Sequence, residues 1–73
     1  MPLRPLAFRE VRRRLIAAGF AEGEHRGSHV KFVRRDPEGI RTAIVPHHKE
    51  VAVGTLRSVL RQAGLTPEEF EEL

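Results

Sequence analysis

Apolar residues near the start of the chain recur at the spacing of an amphipathic helix. The pattern predicts a first helix over residues 5–18, stopped by Gly19, with an apolar face of Phe8, Val11, Leu15 and Ala18. The same spacing returns later and predicts a second helix over residues 55–63, closed by Gly64, with an apolar face of Leu56, Val59, Leu60 and Ala63. Each helix therefore has one face to bury against the rest of the chain.

Between these helices the pattern changes to the alternation of β-strands. We expect three strands, over residues 20–26, 29–34 and 40–45. Gly27-Ser28 forms a tight turn between the first two, and Asp36-Pro37-Glu38-Gly39 is a strong turn sequence between the last two. Connections this short predict an antiparallel sheet.

The last residues carry a helix-start signal. Thr66-Pro67-Glu68-Glu69 combines a capping box with proline at the first helical position and predicts a short third helix. The order α-β-β-β-α-α indicates an α+β fold, with a three-stranded antiparallel sheet that has helices on one face and is open on the other. We expect residues 1–73 to form a single domain with a thin aliphatic core, which leaves a homodimer as an open alternative.

The open face of the predicted sheet carries a histidine suited to proton transfer. Val30 and Phe32 share one face of their strand, so His29 and Lys31 project from the other. The unperturbed pKa of an imidazole is about 6.5, so an exposed histidine can accept or donate a proton at neutral pH. RNA cleavage requires little more, since removal of the 2′-OH proton lets that oxygen attack the adjacent phosphate. Lys31, Arg26 or a backbone N–H would stabilise the charge that develops on the phosphate oxygens.

The other three histidines raise the alternative of a metal site. Imidazole nitrogens bind zinc or copper, but His25 and His29 are separated by a turn. His47 and His48 are adjacent, so their side chains diverge, and no carboxylate stands at a recognised ligand spacing. We therefore expect no metal and no cofactor. His47 is a candidate second proton-transfer group, which would protonate the leaving 5′-oxygen.

Composition narrows the function classes further. The chain has no cysteine, which excludes disulfides, thiol nucleophiles and Cys-ligated zinc. No apolar run approaches the roughly 20 residues of a membrane span, and Met1-Pro2-Leu3-Arg4 lacks the apolar core of a signal peptide, so we expect a cytoplasmic protein without a membrane partner.

Charge is unevenly distributed along the chain. Residues 1–65 hold all 13 Lys and Arg, whereas residues 66–73 hold four of the 10 Asp and Glu. A basic body is typical of proteins that meet polyanions or an acidic protein partner. The run Arg12-Arg13-Arg14 is either a solvated helix face or a phosphate-binding stripe.

Three segments together form a specific pattern: Arg26-Gly27-Ser28-His29-Val30-Lys31-Phe32, then Val45-Pro46-His47, then Gly54-Thr55-Leu56-Arg57-Ser58-Val59-Leu60-Arg61-Gln62-Ala63-Gly64-Leu65. In this order, and after a leading helix that ends at Gly19-Phe20, they closely resemble the HicA (YcfA-like) mRNA interferase toxins. The resemblance covers nearly the whole chain.

The resemblance implies a double-stranded-RNA-binding-domain-like fold and ribosome-independent cleavage of mRNA. The catalytic residue would be the histidine of the Gly-Ser-His motif, which is His29. We expect the RNA to contact Arg26, Gly27, Ser28 and Lys31. The chain would be the toxin of a type II toxin-antitoxin system, an endoribonuclease neutralised by a HicB-type antitoxin that covers the active face.

Two other functions remain open at this point. One is a non-catalytic RNA-binding module of the same fold, which would recognise duplex RNA by its shape, phosphates and 2′-hydroxyls. Stacking on single strands is not expected to dominate, because the chain's four phenylalanines are assigned to the core. The other is a metal-binding or purely interacting protein.

Overall fold

The computed structural model describes residues 3–73; Met1 and Pro2, which the predicted single domain includes, lie outside the described residues. In chain order the elements are β1 (Leu6–Ala7), α1 (Phe8–Ala17), β2 (Ala21–Arg26), β3 (His29–Asp36), β4 (Gly39–Pro46), β5 (Glu50–Val51), α2 (Val53–Ala63) and α3 (Pro67–Glu71). A helix, a three-stranded antiparallel sheet and two further helices follow one another, which confirms the predicted fold class.

Strands β2, β3 and β4 form the main sheet in that spatial order. The hairpin of β3 and β4 is regular from His29 opposite Pro46 to Asp36 opposite Gly39. Pro46 is the last residue of an edge strand, where a residue without an N–H is tolerated. The predicted turns therefore fix the register that decides which side chains share a face.

Strand β2 contains a β-bulge that the sequence did not reveal. Its pairing with β3 passes from Glu22 opposite Phe32 to His25 opposite Val30, so β2 has one extra residue in this interval. Residues directly opposite one another share a face of the sheet. Glu22 and His25 therefore both lie on the side of the buried Phe32, and Arg26 lies on the opposite side.

The core lies between one face of the main sheet and the helices. We call this the helix face and the other the open face. All four phenylalanines, Phe8, Phe20, Phe32 and Phe70, are buried as predicted. They pack with residues of both long helices and of strands β3, β4 and β5, namely Val11, Leu15, Val30, Ala43, Val45, Val51, Leu56, Val59, Leu60 and Ala63. No helix within residues 3–73 is long and apolar enough to cross a membrane.

The strand bounds differ from the prediction by one or two residues, and both long helices begin at different residues than predicted. A two-residue antiparallel pair, β1 with β5, places Leu6 opposite Val51, and α1 begins only after it, at Phe8. Helix α2 begins at Val53 rather than at residue 55; its N-cap is Ala52, which makes no side-chain cap. A strand of two residues is too short to show an alternating pattern in the sequence. Strands β1 and β5 are defined only by their pairing with each other.

Helix α3 is attached to α1 by polar contacts as well as by Phe70. Its predicted capping box is present, with Thr66 and Glu69 bonding to each other's backbone N–H groups. From α1, Arg14 donates to Glu10 at 2.8 Å and to the Phe70 carbonyl at 3.4 Å, and its guanidinium lies 4.9 Å from the centre of the Phe70 ring. The C-terminal helix is therefore part of the folded unit.

The ion pairs of Glu10 predict a small loss of stability in acid. Hydrogen bonds from Arg13 and Arg14 lower the pKa of Glu10 from 4.5 to about 2. Its contribution is therefore complete above pH 4.5 and lost as the pH falls through about 2. We expect Glu10→Gln to lower the free energy of unfolding by less than about 1 kcal/mol at neutral pH, since the pair is partly solvated.

Urea unfolding of wild type and Glu10→Gln at a series of pH values measures this effect. The difference between the two proteins should close on acidification, while Glu38→Gln, in an exposed turn, should match wild type throughout. A Glu10→Gln difference that is the same at pH 7 and at about pH 2 would contradict the assignment.

Candidate functional site

His29 is the first residue of β3 and is exposed on the open face. It follows a two-residue turn in which Gly27 has a φ of 59°, a left-handed conformation that favours glycine. Directly opposite His29 are Arg26 on β2 and Pro46 on β4. Val30, the next residue, is buried, so the predicted facing of His29 is confirmed.

A shallow groove of about 580 Å³ surrounds His29 on the open face, and we call it the His29 groove. Its lining residues are Glu24, Arg26, His29, Lys31, Thr42 and Ile44. Arg26 and Lys31 thus lie beside the imidazole, as the sequence predicted. Glu24 approaches Arg26 to only 3.9 Å, and both side chains are mostly exposed (63% and 86%), so this weak pair leaves the guanidinium accessible to another anion.

Three residues of the His29 groove, Glu24, Thr42 and Ile44, escaped the sequence analysis. Ile44 lies opposite Lys31, and Thr42 opposite Val33. A signal for both existed, because the tight turn of the β3 and β4 hairpin fixes which positions face each other. Glu24 lies two residues before Arg26 on β2, so alternation counted from Arg26 also places it on the open face.

His47 occupies a different groove. Its ring stacks on Phe8, with centroids 4.1 Å apart and planes 30° apart. The surrounding space, about 840 Å³, is lined by Ala7, Phe8, Arg9, His47, His48, Lys49 and Glu50, and we call it the His47 groove. The backbone N–H of His47 donates to the carbonyl of Ser28, which joins the loop after β4 to the Gly27-Ser28 turn beside His29.

The remaining histidine of the hairpin region, His25, lies away from His29. Its Nε2 is 2.7 Å from Glu22, on the helix face. Hydrogen bonds from Arg12 and then from His25 hold the pKa of Glu22 below its ordinary value. Within residues 3–73 no three His, Asp or Glu side chains are arranged to hold a metal ion.

The arginine run of α1 is engaged by carboxylates of the chain. Arg12 pairs with Glu22 at 2.5 Å, Arg13 with Glu10 at 2.7 Å, and Arg14 with Glu10 at 2.8 Å. Hydrogen bonding to Glu10 also raises the pKa of Arg13 above its ordinary value. These contacts favour the interpretation of the run as a solvated helix face, with its charges paired within the chain, over that of a phosphate-binding stripe.

Comparison with known proteins gives the chain a family. A search of curated proteins found no significant match. The family described as HicA toxin of bacterial toxin-antitoxin matches residues 8–65, a segment that begins with α1 and runs through the main sheet and α2. Since the match covers most of the 73 residues, the chain belongs to the HicA toxin family of bacterial toxin-antitoxin systems.

Proposed function

We propose that this HicA-family toxin is an endoribonuclease that cleaves mRNA, with His29 as its catalytic residue. The observation that carries the proposal is an exposed imidazole at a strand start, flanked by Arg26 and Lys31 in one groove, on a chain of this toxin family. The proposed toxin domain comprises residues 1–73. It acts in the cytoplasm, where its substrate is found.

The reaction proposed for His29 uses the RNA's own nucleophile. His29 accepts the proton of a ribose 2′-OH, and the 2′-oxygen forms a bond to the adjacent phosphorus. The bond from phosphorus to the 5′-oxygen breaks, and that oxygen leaves after receiving a proton. The products are a 2′,3′-cyclic phosphate and a 5′-hydroxyl. Neither a metal nor a covalent enzyme intermediate takes part in this scheme.

The cations of the His29 groove stabilise the charge that develops on the phosphate. Negative charge grows on the non-bridging phosphate oxygens as the 2′-oxygen attacks, and positive groups placed beforehand stabilise it. Arg26, opposite His29 on β2, and Lys31, two residues along β3, are the groups proposed for this. Gly27 and Ser28 form the turn that lets the RNA backbone approach the groove.

The second proton transfer, to the leaving 5′-oxygen, has two candidate donors. His47 stays a prediction as the group that protonates the 5′-oxygen, but its ring stacks on Phe8 in the neighbouring groove. Water is the alternative donor at an exposed site such as the His29 groove. Substitution of His47 by alanine or tyrosine discriminates between these two donors.

Cleavage products test the proposal against a non-catalytic RNA-binding module. Purified protein should convert single-stranded RNA to fragments ending in a 2′,3′-cyclic phosphate, and a chelator should not slow the reaction. A 2′-deoxy substitution at the cleaved nucleotide should stop it. Salt-sensitive binding that leaves the RNA intact after long incubation would favour the binding module.

The family implies an antitoxin partner, and we propose that it is of the HicB type and covers the open face. This face presents cations together with Ile44, and Ile40 beside Arg35, so it offers an acidic protein both charge and apolar contact. RNA and antitoxin would then compete. Addition of the antitoxin should release bound RNA from the His29→Ala protein.

Lys31→Gln should weaken RNA binding without unfolding the protein. Loss of one phosphate contact is expected to reduce affinity roughly fivefold near physiological salt. It should also make the slope of log affinity against log salt shallower by about 0.7, the value for one charge on a single strand. Filter binding at several salt concentrations, on a background that does not cleave, measures both quantities.

The matched control is Arg57→Gln, which removes an exposed cation from α2 rather than from the sheet. It should leave the slope near that of wild type. Equal slopes for wild type and Lys31→Gln would remove Lys31 from the RNA contacts.

A further inference from the structure

The His47 groove contains a fixed aromatic surface. Phe8 is buried, with 7% of its surface exposed, and it lies under the imidazole of His47 at 4.1 Å. His47 itself is exposed, so its ring is supported on the Phe8 side and accessible on the other. A ring held in this way is a platform on which another flat ring stacks.

The walls of the His47 groove carry positive charge. The charged groups are Arg9, from the start of α1, and Lys49, from the loop after β4. The ion pairs found within residues 3–73 involve neither Arg9 nor Lys49. One carboxylate, that of Glu50, also lines the groove. An aromatic platform among accessible cations fits a nucleotide, whose base stacks while its phosphate meets the charge.

His47 lies close to His29 along the backbone, although the two grooves share no lining residue. Pro46 is opposite His29, and His47 is the next residue along the chain, so the two histidines have neighbouring backbones. The hydrogen bond from His47 to the Ser28 carbonyl holds the two segments together at this point. The side chain of His29 lies in one groove and that of His47 in the other. An RNA strand that occupied both grooves would pass over the Gly27-Ser28 turn at this end of the sheet.

We propose that His47 is a base-stacking residue and that the His47 groove binds an unpaired nucleotide near the one cleaved at His29. This inference rests on the proposed function, since it assigns a second subsite for the same single-stranded RNA. It also changes an expectation from the sequence, in which every aromatic ring belonged to the core. The platform is an imidazole supported by a core phenylalanine, a combination that only the folded chain displays.

Stacking and proton transfer at His47 predict different results for the same substitutions. Tyrosine retains a flat ring for stacking but is a far weaker acid than an imidazolium ion at neutral pH. Stacking therefore predicts that His47→Ala raises KM, leaves kcat nearly unchanged, and is rescued by His47→Tyr. Proton transfer predicts that both variants lose kcat to a similar extent.

Direct binding supplies the decisive experiment. A short single-stranded RNA containing 2-aminopurine, whose fluorescence falls on stacking, is titrated into the His29→Ala protein, so that cleavage plays no part. Adding His47→Ala should weaken binding about 10-fold to 100-fold and abolish quenching, because base stacking on one aromatic ring has this magnitude. Adding His47→Tyr in its place should restore both.

His25→Ala is the matched control, since it removes another exposed histidine from the helix face and should bind like its parent. Unfolding midpoints of all variants show whether the fold is retained; if His47→Ala unfolds, the quenching and affinity of the folded His47→Tyr protein decide. Unchanged affinity on His47→Ala, or loss of kcat in both His47 variants, overturns the inference. Quenching by a protein that leaves RNA intact when His29 is present supports this subsite while overturning the proposed cleavage.

Discussion

Replacing His29 with alanine should reduce RNA cleavage by roughly 10²-fold to 10⁴-fold, the range that general acid or base catalysis contributes. In cells the same substitution should abolish growth inhibition. The fold should persist, because the side chain is exposed and its neighbours Val30 and Phe32 hold the strand in place. Cleavage rates on a labelled RNA, together with thermal unfolding of the same preparations, measure both parts of the expectation.

Two further variants sharpen this test. His29→Gln keeps a polar side chain of similar size but cannot transfer a proton at neutral pH, so it should be as inactive as His29→Ala. His25→Ala, on the helix face, should cleave like wild type. A His29→Ala protein that cleaves within about tenfold of the wild-type rate would exclude His29 from the chemistry.

Replacing Phe70 with alanine should be the most destabilising single change in the C-terminal segment. The ring is fully buried, and truncating a buried phenylalanine typically costs about 3–5 kcal/mol. A domain of this length has a free energy of unfolding of about 4–11 kcal/mol, so the substitution would remove a large part of it. Urea unfolding followed by circular dichroism gives the difference in free energy.

A neighbouring substitution provides the comparison for Phe70. Thr66→Ala removes the cap of α3 and should cost only about 1 kcal/mol. If Phe70→Ala costs no more than Thr66→Ala, then α3 is an appendage rather than part of the core. The result bears on the family as well, because Phe70 lies beyond the matched residues 8–65.

The sheet could be predicted from the sequence because its strands and turns are determined by residues close together in the chain. Val30 and Phe32 alternate with His29 and Lys31, and short turns at both ends fix the register of β3 against its neighbours. The facing of His29 therefore followed from the residues alone. Assigning chemistry to that histidine required the family resemblance, since an exposed imidazole is common on protein surfaces.

What the sequence did not show depends on contacts between distant segments. Strands β1 and β5 exist only as partners of each other, and neither contains enough residues for a pattern. The stacking of His47 on Phe8 joins the start of α1 to the loop after β4, almost 40 positions apart. Sequence reasoning could place His47 near the substrate but could not tell which groove it lines.

The β-bulge of β2 sorts charge between the two faces of the sheet. Counted back from Arg26 by strict alternation, Glu22 and Glu24 would both project from the open face, toward the RNA that we propose binds there. The extra residue instead turns Glu22 to the helix face, where its carboxylate pairs with Arg12 and accepts a hydrogen bond from His25. An acidic strand can therefore border a polyanion-binding surface, because its pairing geometry, and not its composition, decides which charges the polyanion meets.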